Sequence, residues 1–193
     1  MRERGRIFLC FAGNLGSDTS CLEVFIDSVP GGENSLSGLP GNDGTGVMTG
    51  LTFDDGFNAD YHLIARRGLR GGVPSFDVDF AVLGTSLSST YTNVFGASQE
   101  GSGTTGTGSA NSSPIEVGYD DSNTLGVMGG SGPADEFAMI PQTWVTTGFE
   151  MSIDLGDIGS PPGDIRVLAF LNRRDHLFAS NQFLGCLLYT SDA

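Results

Sequence analysis

Acidic and amide side chains lie beside glycines in several short segments, and their oxygens are the ligands that Ca²⁺ prefers. The segment "YDDSN" offers Asp120, Asp121 and Asn123 directly after a predicted strand. The sequence therefore predicts a candidate calcium site at this strand end. The ordinary alternative is a turn, because Asp and Asn side chains often bond to their own backbone.

A second candidate calcium cluster comprises Asn14, Asp18 and Asp27. A hairpin formed by strands 6–12 and 22–27 would bring both ends of the connecting loop together. The three oxygen-bearing side chains would then meet. Turn formation is again the alternative, and Ca²⁺ is the one cofactor that the sequence suggests.

Residues suited to catalysis are sparse, and the sequence predicts a protein that is not an enzyme. His62 and His176 are the only histidines, far apart and without a recognisable motif partner. Adjacent acids such as Asp54 and Asp55 point to opposite sides of an extended chain, so they do not form a glycosidase pair. Isolated histidines and few cysteines also disfavour zinc and iron.

Aromatic side chains with a polar edge could form a platform for sugar. Trp144, the single tryptophan, precedes a predicted strand, and Tyr61 and Tyr119 are further candidates for ligand binding. Burial in a hydrophobic core is the alternative for Trp144.

The elements that must position these residues are short strands. Alternating or continuous apolar runs predict seven of them: 6–12, 22–27, 60–65, 76–83, 115–119, 149–155 and 165–171. In "LEVFID", Leu22, Val24 and Ile26 share one face, and Glu23, Phe25 and Asp27 share a face expected to be wet. Residues 96–113 read as a flexible Gly/Ser/Thr loop. The pattern favours an antiparallel two-sheet β-sandwich.

Charge narrows the range of partners. The chain has 23 acidic and 9 basic residues, a formal net charge of -14 and no lysine. Such a surface repels phosphate backbones, so nucleic-acid binding is disfavoured. No apolar run is long enough to predict a membrane-spanning helix. The oligomeric state is left open.

The last eight residues of the chain have an unusual sequence. Residues 186–193, "CLLYTSDA", match a translation of the transposon mosaic-end adapter used in shotgun library preparation. We therefore expect a single domain over residues 1–185, truncated at its C-terminus, and a tail over 186–193 that is not native.

Several separated motifs carry a family resemblance. The segments "GNLGSDTSCLEVFIDSVPGGEN", "GLTFDDGFNADYHL" and "FEMSIDLGDIGSPPGDIRVLAFLN" resemble secreted proteins of planctomycete-type bacteria. Those proteins often end in an exosortase (PEP-CTERM) sorting signal. The resemblance implies a jelly-roll-like sandwich similar to family-nine carbohydrate-binding modules and DOMON-like domains. Those modules cradle sugar between exposed tryptophans, whereas this chain has only Trp144.

Together these features predict a non-catalytic binding or surface-display module that is secreted or held at the cell surface. Polysaccharide or extracellular matrix is the candidate partner. Two alternatives stay open: a calcium-stabilised structural or adhesive surface protein, and an accessory domain of a larger secreted enzyme.

Overall fold

Strands in two layers dominate the computed structural model, which describes residues 2–3, 5–39, 42–96, 100–122 and 147–189. One sheet contains β1 (Arg2–Glu3), β2 (Arg6–Ala12), β7 (Glu100–Thr104), β8 (Glu116–Asp120) and β9 (Gly148–Asp154). The other contains β3 (Cys21–Asp27), β4 (Tyr61–Arg70), β5 (Val73–Val82), β6 (Ser88–Phe95), β10 (Ile165–Asn172) and β11 (Ala179–Tyr189). A short helix, α1 (Asp43–Val47), and a 3₁₀ turn (Leu155–Ile158) complete the described elements.

The pairing within each sheet is antiparallel throughout. The strand orders are β1-β2-β9-β8-β7 in the five-stranded sheet and β11-β10-β3-β4-β5-β6 in the six-stranded sheet. The predicted all-β, two-sheet antiparallel sandwich is confirmed. The strands β2 and β3 belong to different sheets, so the predicted hairpin between them is wrong.

The main hydrophobic core lies between the two sheets. From β3 it receives Leu22, Val24 and Ile26, which alternate along the strand as predicted. Tyr61 and Tyr119 also belong to this core, with 8% and 4% of their surfaces exposed. The prediction that these two tyrosines form an exposed platform is therefore wrong, and burial of their rings in the core is the physical reason.

All seven predicted strand segments coincide with strands, but β1, β6, β7 and β11 were not predicted. The strand β7 lies inside residues 96–113 and pairs with β8 from Glu100↔Asp120 to Thr104↔Glu116. Backbone hydrogen bonds suffice for such an edge strand, so it needs no apolar pattern. Asn111 in the same segment is buried and accepts a 2.6 Å hydrogen bond from the Tyr91 hydroxyl. Flexibility is thus a wrong description of these parts of the loop.

The outer face of the six-stranded sheet is covered, although one wet face was expected. Residues 28–39 and 42–60, between β3 and β4, cross this face, and Leu36, Phe53 and Phe57 pack there on Phe25. The rings of Phe25 and Phe53 lie 4.9 Å apart, edge to face. Glu23 and Phe25 are consequently fully buried. The predicted wet face is wrong because a long inter-strand excursion supplies a second core.

The strand β11 continues through Leu187 and Leu188, which pair with Val167 and Arg166 of β10. The predicted boundary at residues 185 and 186 therefore falls inside a strand. The origin of residues 186–193 stays a prediction.

Candidate functional site

An open groove follows β2 on the described surface. It consists of two adjoining clefts of about 420 and about 380 Å³. Both clefts are lined by Cys10, Phe11, Ala12, Tyr119 and Phe149. Among the described residues β1 pairs only with Arg6 and Ile7, so the rest of β2 is paired on one side alone, by β9. The groove thus lies at an incompletely paired edge of the five-stranded sheet.

The larger cleft enters between the two sheets and is mostly apolar. Leu15, Leu22 and Leu171 line it together with the shared residues, and Asn14 adds a polar side chain. Tyr119 closes its floor, because its hydroxyl accepts from the Leu15 backbone N–H at 2.8 Å and donates to the Leu15 carbonyl at 2.9 Å. A ring held in this way gives the cleft a rigid wall.

The smaller cleft adds acids and glycines. Asp120 and Glu150 line it beside Gly118 and Gly148. A Cβ on Gly148 would overlap the carbonyl oxygen of Phe11, so glycine is required for this close approach, whereas the space over Gly118 is open. The cleft thus combines glycines, which leave space for a ligand, with carboxylates that can accept hydrogen bonds from it.

The first candidate calcium cluster is occupied by other interactions. Asp121 forms a 2.6 Å ion pair with Arg67, whose guanidinium also lies 5.5 Å from the Tyr119 ring centre. Asp120 accepts a 2.8 Å hydrogen bond from the Ser122 N–H, which is the turn role given above as the alternative. Asn123 lies outside the described residues.

The second candidate calcium cluster does not assemble. Asp18 precedes β3 and Asp27 ends it, so about 20 Å of strand separates them. Asp18 accepts from the Ser20 hydroxyl at 2.7 Å, and Asp27 lies 3.7 Å from the Arg166 guanidinium. The expectation that these acids meet is wrong because β2 and β3 form no hairpin. Trp144 lies outside the described residues.

A cluster that the sequence did not predict lies under the excursion on the six-stranded sheet. Glu23 receives His62 Nε2 at 2.7 Å on one carboxylate oxygen and His176 Nδ1 at 2.6 Å on the other. All three side chains are buried, and the His62 ring stacks on Phe25 at 4.3 Å. Both histidines of the chain therefore share one carboxylate. We call Glu23, His62, His176 and their charged neighbours Asp43, Arg66 and Asp79 the Glu23 cluster.

The helix α1 covers the Glu23 cluster. Asn42 caps the helix by accepting from the Thr45 N–H at 2.8 Å. Asp43 in the first turn lies 2.6 Å from Arg66 and 3.5 Å from His176 Nε2, and Arg66 also pairs with Asp79. The 3.5 Å contact is an ion pair rather than a well-formed hydrogen bond. A line of alternating charge thus joins α1 to the sheet.

Burial and pairing oppose each other in setting the pKa values of the Glu23 cluster. Burial alone would raise the pKa of Glu23, but hydrogen bonds from His176 and His62 outweigh it and lower the pKa to about 2. Burial alone would lower the pKa of His176, yet its contacts with Asp43 and Glu23 raise the pKa to about 9. Burial and the nearby Glu23 charge raise the pKa of the Cys21 thiol to about 12. The Glu23–His176 pair is therefore ionised near neutral pH.

The geometry of the Glu23 cluster favours a structural role over catalysis. The side chains of Glu23 and His62 have no exposed surface, and that of His176 has 2%. A substrate could not reach these atoms without displacement of α1. Residue spacing gave no signal of the cluster, because Glu23, His62 and His176 are joined only by sheet register and a distant turn.

Fold and groove together define a class: an all-β sandwich with an open groove at the edge of one sheet and a sealed ionic cluster behind the other. Comparison with protein-family models, with curated proteins and with solved structures gives no significant match. The family resemblance of the sequence motifs therefore stays a prediction. Among the described residues, no helix is long and apolar enough to cross a membrane.

Proposed function

We propose that this chain is a non-catalytic extracellular binding module and that polysaccharide binds in the groove along β2. The observation that carries the proposal is the groove itself, in which Phe11 is half-buried and the Glu150 carboxylate is exposed. Sugar rings present apolar C–H faces and peripheral hydroxyls. A site for them needs apolar surface beside a few hydrogen-bonding groups.

The charge of the chain supports a neutral or cationic ligand. A net charge of -14 opposes polyanions, and Asp120 and Glu150 at the groove would repel them locally. Neutral polysaccharides carry no such penalty. The motif resemblance to family-nine carbohydrate-binding modules and DOMON-like domains supports the same ligand class and an extracellular or cell-surface location.

Binding to neutral polysaccharides tests the proposal directly. Affinity electrophoresis through gels that contain soluble glucans, mannans or xylans should retard the protein, and a glycan array should identify the preferred chain. Phe11→Ala should weaken the retardation by loss of apolar contact. Phe178→Ala is the matched control, because that ring is 68% exposed on the β10–β11 turn, outside the residues that line the groove.

A second pair of variants tests the polar side of the groove. Glu150→Gln should weaken binding because a carboxylate accepts stronger hydrogen bonds from hydroxyls than an amide does. Asp55→Asn, which removes an exposed acid on the covering excursion, should leave binding unchanged. If no polysaccharide retards the protein, or if Phe11→Ala and Phe178→Ala change the retardation equally, the proposed function is wrong.

A further inference from the structure

Three side chains of metal-binding type meet beside the Glu23 cluster. Cys21, Glu23 and His176 are buried, and one donor atom from each lies within 4.8 Å of the others. Cys21 and Glu23 are two positions apart on β3 and share its outer face. Asn172 pairs with Cys21 in the sheet and starts the turn that carries His176. Sheet register thus brings a sulfur, an oxygen and a nitrogen donor together.

Carboxylates outnumber cations around the three donors. Glu23, Asp43 and Asp79 are carboxylates in one connected set, and Arg66 is the cation that bridges Asp43 and Asp79. With His176 protonated near neutral pH, three negative charges face two positive charges, which leaves one negative charge in excess. An excess of negative charge beside the three donors favours a cation there over an anion.

The surroundings of the three donors match those of a metal site. In proteins, a histidine that binds a metal through one nitrogen usually presents the other to a carboxylate. His176 has this arrangement: Nδ1 faces Glu23, and Nε2 lies 3.5 Å from Asp43 without a hydrogen-bond partner in the described chain. His62 holds the second oxygen of Glu23 at 2.7 Å, which fixes the carboxylate orientation. Asp43 and His62, which are not among the three donors, therefore hold His176 and Glu23 in their orientations.

The backbone at His176 is held in an unfavourable conformation. Its φ is 59°, a left-handed value that non-glycine residues adopt infrequently. The turn is maintained by the His176 N–H, which donates to the Arg173 carbonyl at 2.8 Å, and by the Arg173–Asp175 ion pair at 2.6 Å. The backbone is therefore strained at His176, the residue whose imidazole contacts Glu23.

We propose that Cys21, Glu23 and His176 bind a single Zn²⁺ ion. Donors around a tetrahedral zinc ion lie about 3.4 Å apart, given bond lengths near 2.1 Å to nitrogen and oxygen. The 2.6 Å separation between His176 and Glu23 would need to widen by less than about 1 Å. Ca²⁺ prefers oxygen ligands alone, so a thiolate and an imidazole select zinc over calcium. The ion would join β3 to the β10–β11 turn beneath α1.

Metal content and cobalt spectroscopy test the site. Protein produced without a histidine tag should be unfolded in chelator, refolded with Zn²⁺ or Co²⁺, and freed of excess metal. One equivalent of zinc should remain by elemental analysis. The cobalt form should show a thiolate charge-transfer band in the near-ultraviolet and visible bands that differ from those of aqueous Co²⁺.

Paired cysteine variants separate this site from incidental thiol binding. Cys21→Ser should abolish the charge-transfer band and weaken zinc binding by about 100-fold or more. Cys10→Ser, which changes an exposed thiol on the other sheet, should retain both. His176→Asn keeps a residue that tolerates the left-handed conformation and should also lose zinc.

Two results would overturn the proposal. One is refolded wild-type protein with a native circular dichroism spectrum, less than stoichiometric zinc and no thiolate band. The other is equal loss of the band in the Cys10 and Cys21 variants. Polysaccharide binding is measured separately and does not depend on the outcome.

Discussion

Gly44 and Gly46 lie in the same short helix, and alanine at each should shift stability in opposite directions. A Cβ on Gly44 would lie 2.8 Å from Ile64 Cδ1 and 2.9 Å from His62 Cε1. A Cβ on Gly46 would meet nothing within 4 Å. Gly44→Ala therefore tests whether α1 closes directly over the Glu23 cluster, and Gly46→Ala controls for helix propensity.

The magnitude follows from which neighbours can move. Ile64 is fully buried, and the His62 ring is held by Glu23 and stacked on Phe25, so neither can retreat by the required half ångström or more. Overpacking of this kind costs about 1–3 kcal/mol. Alanine at position 46 should instead gain up to about 1 kcal/mol from its better helix propensity. The two variants should differ by about 1–4 kcal/mol in free energy of unfolding.

Urea unfolding at neutral pH, followed by far-ultraviolet circular dichroism, measures both variants. The slope of the free energy against urea should stay constant, so that midpoints report stability. If Gly44→Ala is as stable as Gly46→Ala, the helix does not approach the histidines as described, and the closed Glu23 cluster is incorrect.

Further predictions concern the charges of the Glu23 cluster, measured by urea unfolding in metal-free buffer. Glu23→Gln should lower the free energy of unfolding by about 3 kcal/mol, because the pKa of Glu23 falls from 4.5 to about 2 on folding. The exposed control Glu100→Gln should change it by less than about 0.5 kcal/mol. Equal effects of the two substitutions would contradict the role of Glu23. Stability should decline as pH falls from 4.5 towards 2, because Glu23 takes up a proton, and as pH rises from 6.5 towards 9, because His176 loses one. His176→Asn should remove the alkaline decline and also reduce the acid decline, because His176 donates to Glu23. An undiminished alkaline decline in that variant would assign it to another group.

Much of the fold was predictable because local pattern and tertiary role agree in the strands. The segment 149–155 alternates strictly, and Phe149, Met151 and Ile153 do enter the core. The polar strand β7 escaped prediction because backbone hydrogen bonds alone specify it. Periodicity reports burial on one face, and it carries little information about an edge strand of glycine, serine and threonine.

The candidate sites were less predictable because they depend on which strands are neighbours. The hairpin assumption placed Asp18 near Asp27, whereas the chain changes sheets between β2 and β3. Tyr119 looked like a surface aromatic, yet its hydroxyl finds the Leu15 backbone inside the core. A polar edge on an aromatic ring is compatible with either location when a buried partner exists.

The sequence by itself determined a two-sheet antiparallel sandwich, its main core and an acidic surface, because side-chain alternation and net charge are local or additive properties. Only the tertiary structure decided that Glu23 would be buried, since the covering excursion comes from residues after β3 and hides the strand's second face. It also decided that His62 and His176 meet on one carboxylate. They lie 39 and 153 residues from Glu23. Contacts at such separations arise from strand order and register, which no short stretch of sequence contains.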